Sequence, residues 1–156
     1  MVLSVDDVIE LTDQWRQKRS GDIARVWPLN GGWEAWAQAE IAAWLLYADH
    51  ANETLREQRV YANDQRADLL VNPTSNGADM IVIELKCQSL PNWRAFVPGL
   101  QEDYNKLRGA MRPAYQDAHR LVLGIGTVPN EPPPAPWHIR YEDNGETCLY
   151  WAAVHP

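Results

Sequence analysis

Residues 65–72 read Gln65-Arg66-Ala67-Asp68-Leu69-Leu70-Val71-Asn72, and residues 79–87 read Asp79-Met80-Ile81-Val82-Ile83-Glu84-Leu85-Lys86-Cys87. The second stretch is the clearest strand in the chain, β-branched and apolar. Side chains alternate along a strand, so Ile81, Ile83, Leu85 and Cys87 share one face and Met80, Val82, Glu84 and Lys86 the other. A strand apolar on both faces is usually central and covered. The interval from Pro73 to Gly77 carries turn chemistry. With residues 73–79 as the loop, the hairpin is symmetric about residue 76. Asn72 then stands opposite Met80, and Asp68 opposite Glu84, on the same face with Cβ atoms ~5 Å apart.

Two carboxylates that close repel each other, and ionised groups on a covered strand are costly unless paired or bound to metal. A divalent cation reverses the sign of that repulsion. Oxygen-only ligands favour Mg²⁺ or Mn²⁺ over zinc. Lys86, two residues along the same face, is placed to hold a phosphate or orient an attacking water. The bland alternative is a Glu–Lys pair at a strand end, reaching solvent.

Upstream, Ser4 followed by Asp6 and Asp7 starts a first helix, which the spacing carries to about Ser20-Gly21. Residues 22–32 read as a loop ending in Asn30-Gly31-Gly32, and a second helix spans roughly 32–50. On it Trp36, Glu40, Trp44 and Tyr47 fall on one stripe. Glu40 is then a carboxylate on an aromatic face, aimed at the metal or its water. Residues 55–61 form a strand ahead of the hairpin. Downstream come a helix near 98–112, a buried strand at 119–126, a polyproline-like connector around Pro132-Pro133-Pro134 and a last strand at about 147–154. The order α-α-β-β-β-α-β-β predicts one α/β domain over residues 1–156, a mixed sheet flanked by helices.

Bulk properties narrow the function. No stretch approaches the ~20 apolar residues of a membrane span. The N-terminus lacks the basic and apolar regions of a Sec signal, which points to the cytoplasm and leaves other export routes open. Cys87 and Cys148 make no disulfide framework. His50, His119, His138 and His155 lack zinc-ligand spacing. The net charge is −7, against a nucleic-acid partner if read alone. The charge is uneven, however: −5 over residues 1–55, +1 over 56–125 and −3 over 126–156.

Glu40, Asp68 and Glu84-Leu85-Lys86, in this order of elements, resemble the PD-(D/E)xK nuclease superfamily, whose fold is restriction-endonuclease-like. Glu40 matches its first acidic position, Asp68 its Asp, and Glu84 and Lys86 its Glu-x-Lys; Ala67 stands where the motif has Pro. Asp103-Tyr104-Asn105-Lys106-Leu107 is similar to a pattern of small bacterial members, and Gln101 and Tyr104 to a polar pair near the site, at an unusual spacing. The resemblance covers residues 32–126. It implies a Mg²⁺- or Mn²⁺-dependent phosphodiesterase; substrate does not transfer across so divergent a superfamily, and DNA is the leading expectation. Asp68 and Glu84 would ligate the metal, Glu40 a metal-bound water or second ion, and Lys86 would steer the water. Arg66, Lys106 and Arg108 are candidate phosphate contacts, and Trp93 and Tyr104 further nucleic-acid contacts. The competing readings are an RNA-directed nuclease and a non-catalytic, immunity-type binding protein on the same fold, whose acidic ends would meet a basic partner. A protein partner or homodimer stays open.

Overall fold

The computed structural model describes residues 2–48, 53–127, 136–141 and 147–155. Pro132-Pro133-Pro134 and His50 lie outside them. The elements are α1 (Val5–Lys18), α2 (Ser20–Val26), α3 (Glu34–Ala48), β1 (Thr54–Arg59), β2 (Arg66–Val71), β3 (Ile81–Cys87), α4 (Phe96–Leu107), β4 (His119–Gly126), β5 (His138–Tyr141) and β6 (Cys148–Val154). The strands form one sheet in the order β1-β2-β3-β4-β6-β5. Among the described strands only β3 and β4 run parallel, joined by α4 as the crossover that such a pair needs. The chain is therefore an α/β protein with a mixed sheet. No described helix is long and apolar enough to cross a membrane.

Two cores sandwich the sheet. On one face Val8, Ile9 and Trp15 of α1 and Ala37, Ile41 and Leu45 of α3 pack on Leu69, Ile81, Ile83, Leu85 and Leu123. On the other, Phe96, Leu100 and Leu107 of α4 pack on Val82, Val122, Tyr150 and Ala152. β3 is thus covered on both sides, as its apolar sequence requires. α1 starts as expected: the Ser4 hydroxyl accepts the Asp7 N–H, and the Asp7 carboxylate accepts the Ser4 N–H.

Some expectations need correction. Residues 22–32 are not all loop, because α2 restarts at Ser20 after a break at Arg19 and is anchored by buried Ile23. Strand β5 escapes sequence reading because it is a four-residue edge strand with no fully buried side chain. The first strand ends at Arg59. Residues 60–62 instead bond to residues 110–112, with the Ala62 N–H on the Ala110 carbonyl and the Arg112 N–H on the Val60 carbonyl. Helix α4 stops at Leu107, whose carbonyl accepts from Arg120 at 2.9 Å. The sheet-facing stripe of α3 is Ala37, Gln38, Ile41, Ala42 and Leu45, while Tyr47 is 72% exposed. Small and aliphatic residues approach the sheet closely, and the indoles of Trp36 and Trp44 pack at the margin.

The hairpin register is Leu69 opposite Ile83, Leu70 opposite Val82 and Val71 opposite Ile81. This is the predicted register, but its end differs. Asn72 leaves the strand in the left-handed region (φ 56°). Its carboxamide accepts the Leu3 N–H at 3.2 Å and donates to the Leu3 and Asp79 carbonyls at 2.9 and 2.7 Å. That one side chain ties the N-terminus to both ends of the hairpin loop. Asn72→Ala strands buried partners and keeps a β-carbon at positive φ, so it is expected to lower unfolding free energy by about 2–3 kcal/mol in urea titration. A loss under 0.5 kcal/mol would contradict this account.

Candidate active site

Beyond Leu69 and Ile83 the strands β2 and β3 part. Continued by one residue, the register sets Asp68 against Glu84. The Leu85 N–H donates to Asp68 Oδ2 at 2.6 Å, and Gln38 Nε2 donates to Asp68 Oδ1 at 2.7 Å. Two residues on, the Cys87 N–H donates to Glu34 Oε2 at 3.0 Å. Side-chain carboxylates thus take two amides along the opened edge of β3. Glu34 is delivered by the first turn of α3. Its approach follows the left-handed pair Gly31-Gly32 (φ 87° and 73°) and is fixed by the Trp33 indole on the Gln88 carbonyl, 2.7 Å.

Glu84 is 2% exposed. Its Oε1 accepts from the Tyr61 hydroxyl at 2.5 Å and from Lys106 Nζ at 2.9 Å. Lys86 runs along α4, where a Cβ on Gly99 would lie 3.3 Å from its Cε, and its ammonium pairs with Asp103 at 3.3 Å. Glu34, Asp68, Glu84 and Asp103 therefore share one site with Lys86 and Lys106. Beside it opens a cleft of about 610 Å³ whose charged lining residues are Glu102, Asp103 and Lys106, with Tyr61, Asn63, Gln65 and Asn105 among the others.

Burial raises the pKa of all four acids. For Glu34 and Asp103 the Lys86 ammonium offsets this in part, and for Asp68 the Leu85 N–H does. Glu84 is pushed up to about 7 by burial and by the Asp68 charge. Burial works against the Lys86 ammonium, but Glu34 and Asp103 outweigh it and hold its pKa above the ordinary value. Burial, then the Glu84 charge, raises the Tyr61 phenol, which stays protonated as a donor.

The structure brings Asp68, Glu84 and Lys86 near one another, and Glu40 does not join them. Its carboxylate pairs with Arg19 at 2.9 Å and accepts from the Trp15 indole at 3.4 Å. The acid that α3 brings to the site is Glu34, seconded by Gln38. The stripe Glu34, Ala37, Gln38, Ile41, Ala42, Leu45 was the signal that could have found both. Lys106 is held inside the site on Glu84. Tyr104 packs on Trp137 with ring centroids 6.0 Å apart, a core contact. Arg66 and Arg108 are exposed, and the Lys106 ammonium donates to the Arg66 carbonyl at 2.8 Å. Trp93 is 42% exposed with the Arg94 guanidinium 4.9 Å from its ring centre. Cys87 and Cys148 are free and buried, which pushes both thiols up.

The acids offer only oxygen donors, the set suited to Mg²⁺ or Mn²⁺. Among the described residues, no three His, Cys, Asp or Glu side chains are disposed to hold a metal ion. Glu84 Oε1 is instead taken by an ammonium and a phenol.

Glu84 makes stability fall as pH rises. Folded, it keeps a proton up to about pH 7, whereas unfolded it releases it near the ordinary glutamate value of 4.5. The folded state binds more protons across that window, so the cost of ionising the buried group grows through it, to about 3 kcal/mol above pH 7. Glu84→Gln is expected to flatten the decline between pH 5 and pH 8, read by urea unfolding at each pH. Parallel pH profiles for the two proteins would contradict it.

The chain matches no protein-family model, and neither curated proteins nor solved structures give a significant match.

Proposed function

We propose that this chain is a Mg²⁺- or Mn²⁺-dependent nuclease of the PD-(D/E)xK type that hydrolyses phosphodiester bonds in DNA. The observation that carries the reading is the charge count at the parted strands. Four carboxylates, all with pKa values raised, face two ammonium groups. A divalent cation is a ligand that offsets this excess of negative charge without protonating the site. The order α3, β1–β3, α4, β4, with a parallel β3–β4 pair, supports a restriction-endonuclease-like core.

Asp68 and Glu84 would hold the metal, which would supply Lewis-acid polarisation of the phosphate and a water of lowered pKa. Glu34, in the role first read for Glu40, would accept a hydrogen bond from that water. Lys86, braced by Asp103 and by the close approach of Gly99, would orient the nucleophile. Two buried free thiols fit a cytoplasmic setting.

The test is incubation with plasmid, linear and single-stranded DNA and with RNA, in Mg²⁺, Mn²⁺ or EDTA. Cleavage is expected with either metal and none in EDTA. Asp68→Asn, Glu84→Gln and Lys86→Ala should each lower the rate about 100-fold or more. Glu34→Gln should lower it, and Glu40→Gln should cut like wild type. Cleavage of RNA alone would change the substrate class. No cleavage of any substrate, or full activity in Lys86→Ala, would sink the nuclease reading in favour of a binding protein.

A further inference from the structure

The Lys106 ammonium occupies a complete cation site. It lies 2.9 Å from Glu84 Oε1, donates to the Arg66 carbonyl at 2.8 Å and sits 4.9 Å from the centre of the Tyr61 ring. A carboxylate, a carbonyl and an aromatic face together meet what an ammonium's three N–H groups need. The chain has three lysines, and two of them are in this one site. Their settings differ. Lys86 is fixed along its stem by α4 and pairs with Asp103, which lies outside the Asp68–Glu84 pair. Lys106 projects from the last turn of α4, keeps 28% of its side chain exposed and lines the adjoining cleft.

Glu84 is the carboxylate that a divalent cation would also need. Two cations on one buried carboxylate repel strongly, because the low local dielectric screens them poorly. That repulsion favours the departure of one of them, and the lysine has an open cleft to enter. We propose that Lys106 is a built-in counter-cation that gives up Glu84 to a divalent cation and turns into the cleft. There its ammonium holds a phosphate of the nucleic-acid substrate. Metal and phosphate ligand then bind with positive coupling, because one side chain mediates both events. The inference rests on the metal-dependent reading above.

The direct test is Mg²⁺ titration by calorimetry of wild type and Lys106→Met. The variant lacks the competitor and is expected to bind Mg²⁺ about tenfold more tightly. With Mg²⁺ present it should bind a cleavage-resistant phosphorothioate oligodeoxynucleotide several-fold more weakly than wild type. A second measurement needs no variant to fold. In wild type carrying ¹³C-labelled lysine, the Lys106 side-chain signal should move on Mg²⁺ addition while that of Lys18 stays put. If Mg²⁺ binds but the Lys106 signal is static, or Lys106→Met binds Mg²⁺ no more tightly, the exchange is disproved and the nuclease reading survives. If neither protein binds Mg²⁺ or Mn²⁺ at all, both fall together.

Discussion

The structure turns on the hydrogen bond from the Leu85 N–H to the Asp68 carboxylate at 2.6 Å. A regular antiparallel pair would carry the ladder past this point and close the two strands together. Asp68 supplies an acceptor from its side chain instead, and β2 can diverge without leaving a buried donor unmet. Glu34 does the same two residues on, for Cys87. The gap between the strands exists because carboxylates stand in for backbone carbonyls.

The substitution has an electrostatic cost. The carboxylates that hold the edge open are largely buried, and Glu84 and Asp103 lie beside them. Lys86 and Lys106 offset part of the charge. What is left favours protons, and burial raises the pKa of all four acids. Strain of this kind, tolerated where chemistry is done and offset by packing elsewhere, is common at functional sites. The offset here is visible in two well-filled cores and in the Asn72 clamp that fixes the hairpin loop to the N-terminus.

The acidic net charge is less of an obstacle than the total suggests. The excess of acid lies in the two terminal segments, while residues 56–125, which build most of the site, are near balance. Arg66 and Arg108 are exposed.

The sequence by itself determined the hairpin. Alternation along residues 79–87 gave the faces, and the turn chemistry of Pro73–Gly77 gave the register, because the centre of the loop sets which residues stand opposite each other. It also placed α1, whose capping box is local, and the buried strand β4. The identity of the acid on α3 was not legible in the same way. Glu34 and Glu40 lie on one helix, and which faces the sheet depends on whether small residues or indoles make the close approach. That is set by packing against β2 and β3. The pairing of Lys106 with Glu84 and the position of Tyr61 also belong to tertiary structure alone, since they join residues 22 and 23 apart in sequence through α4 and an irregular segment. A strand's period is written in its residues, while the partner of a charged side chain is decided by which buried charge most needs it.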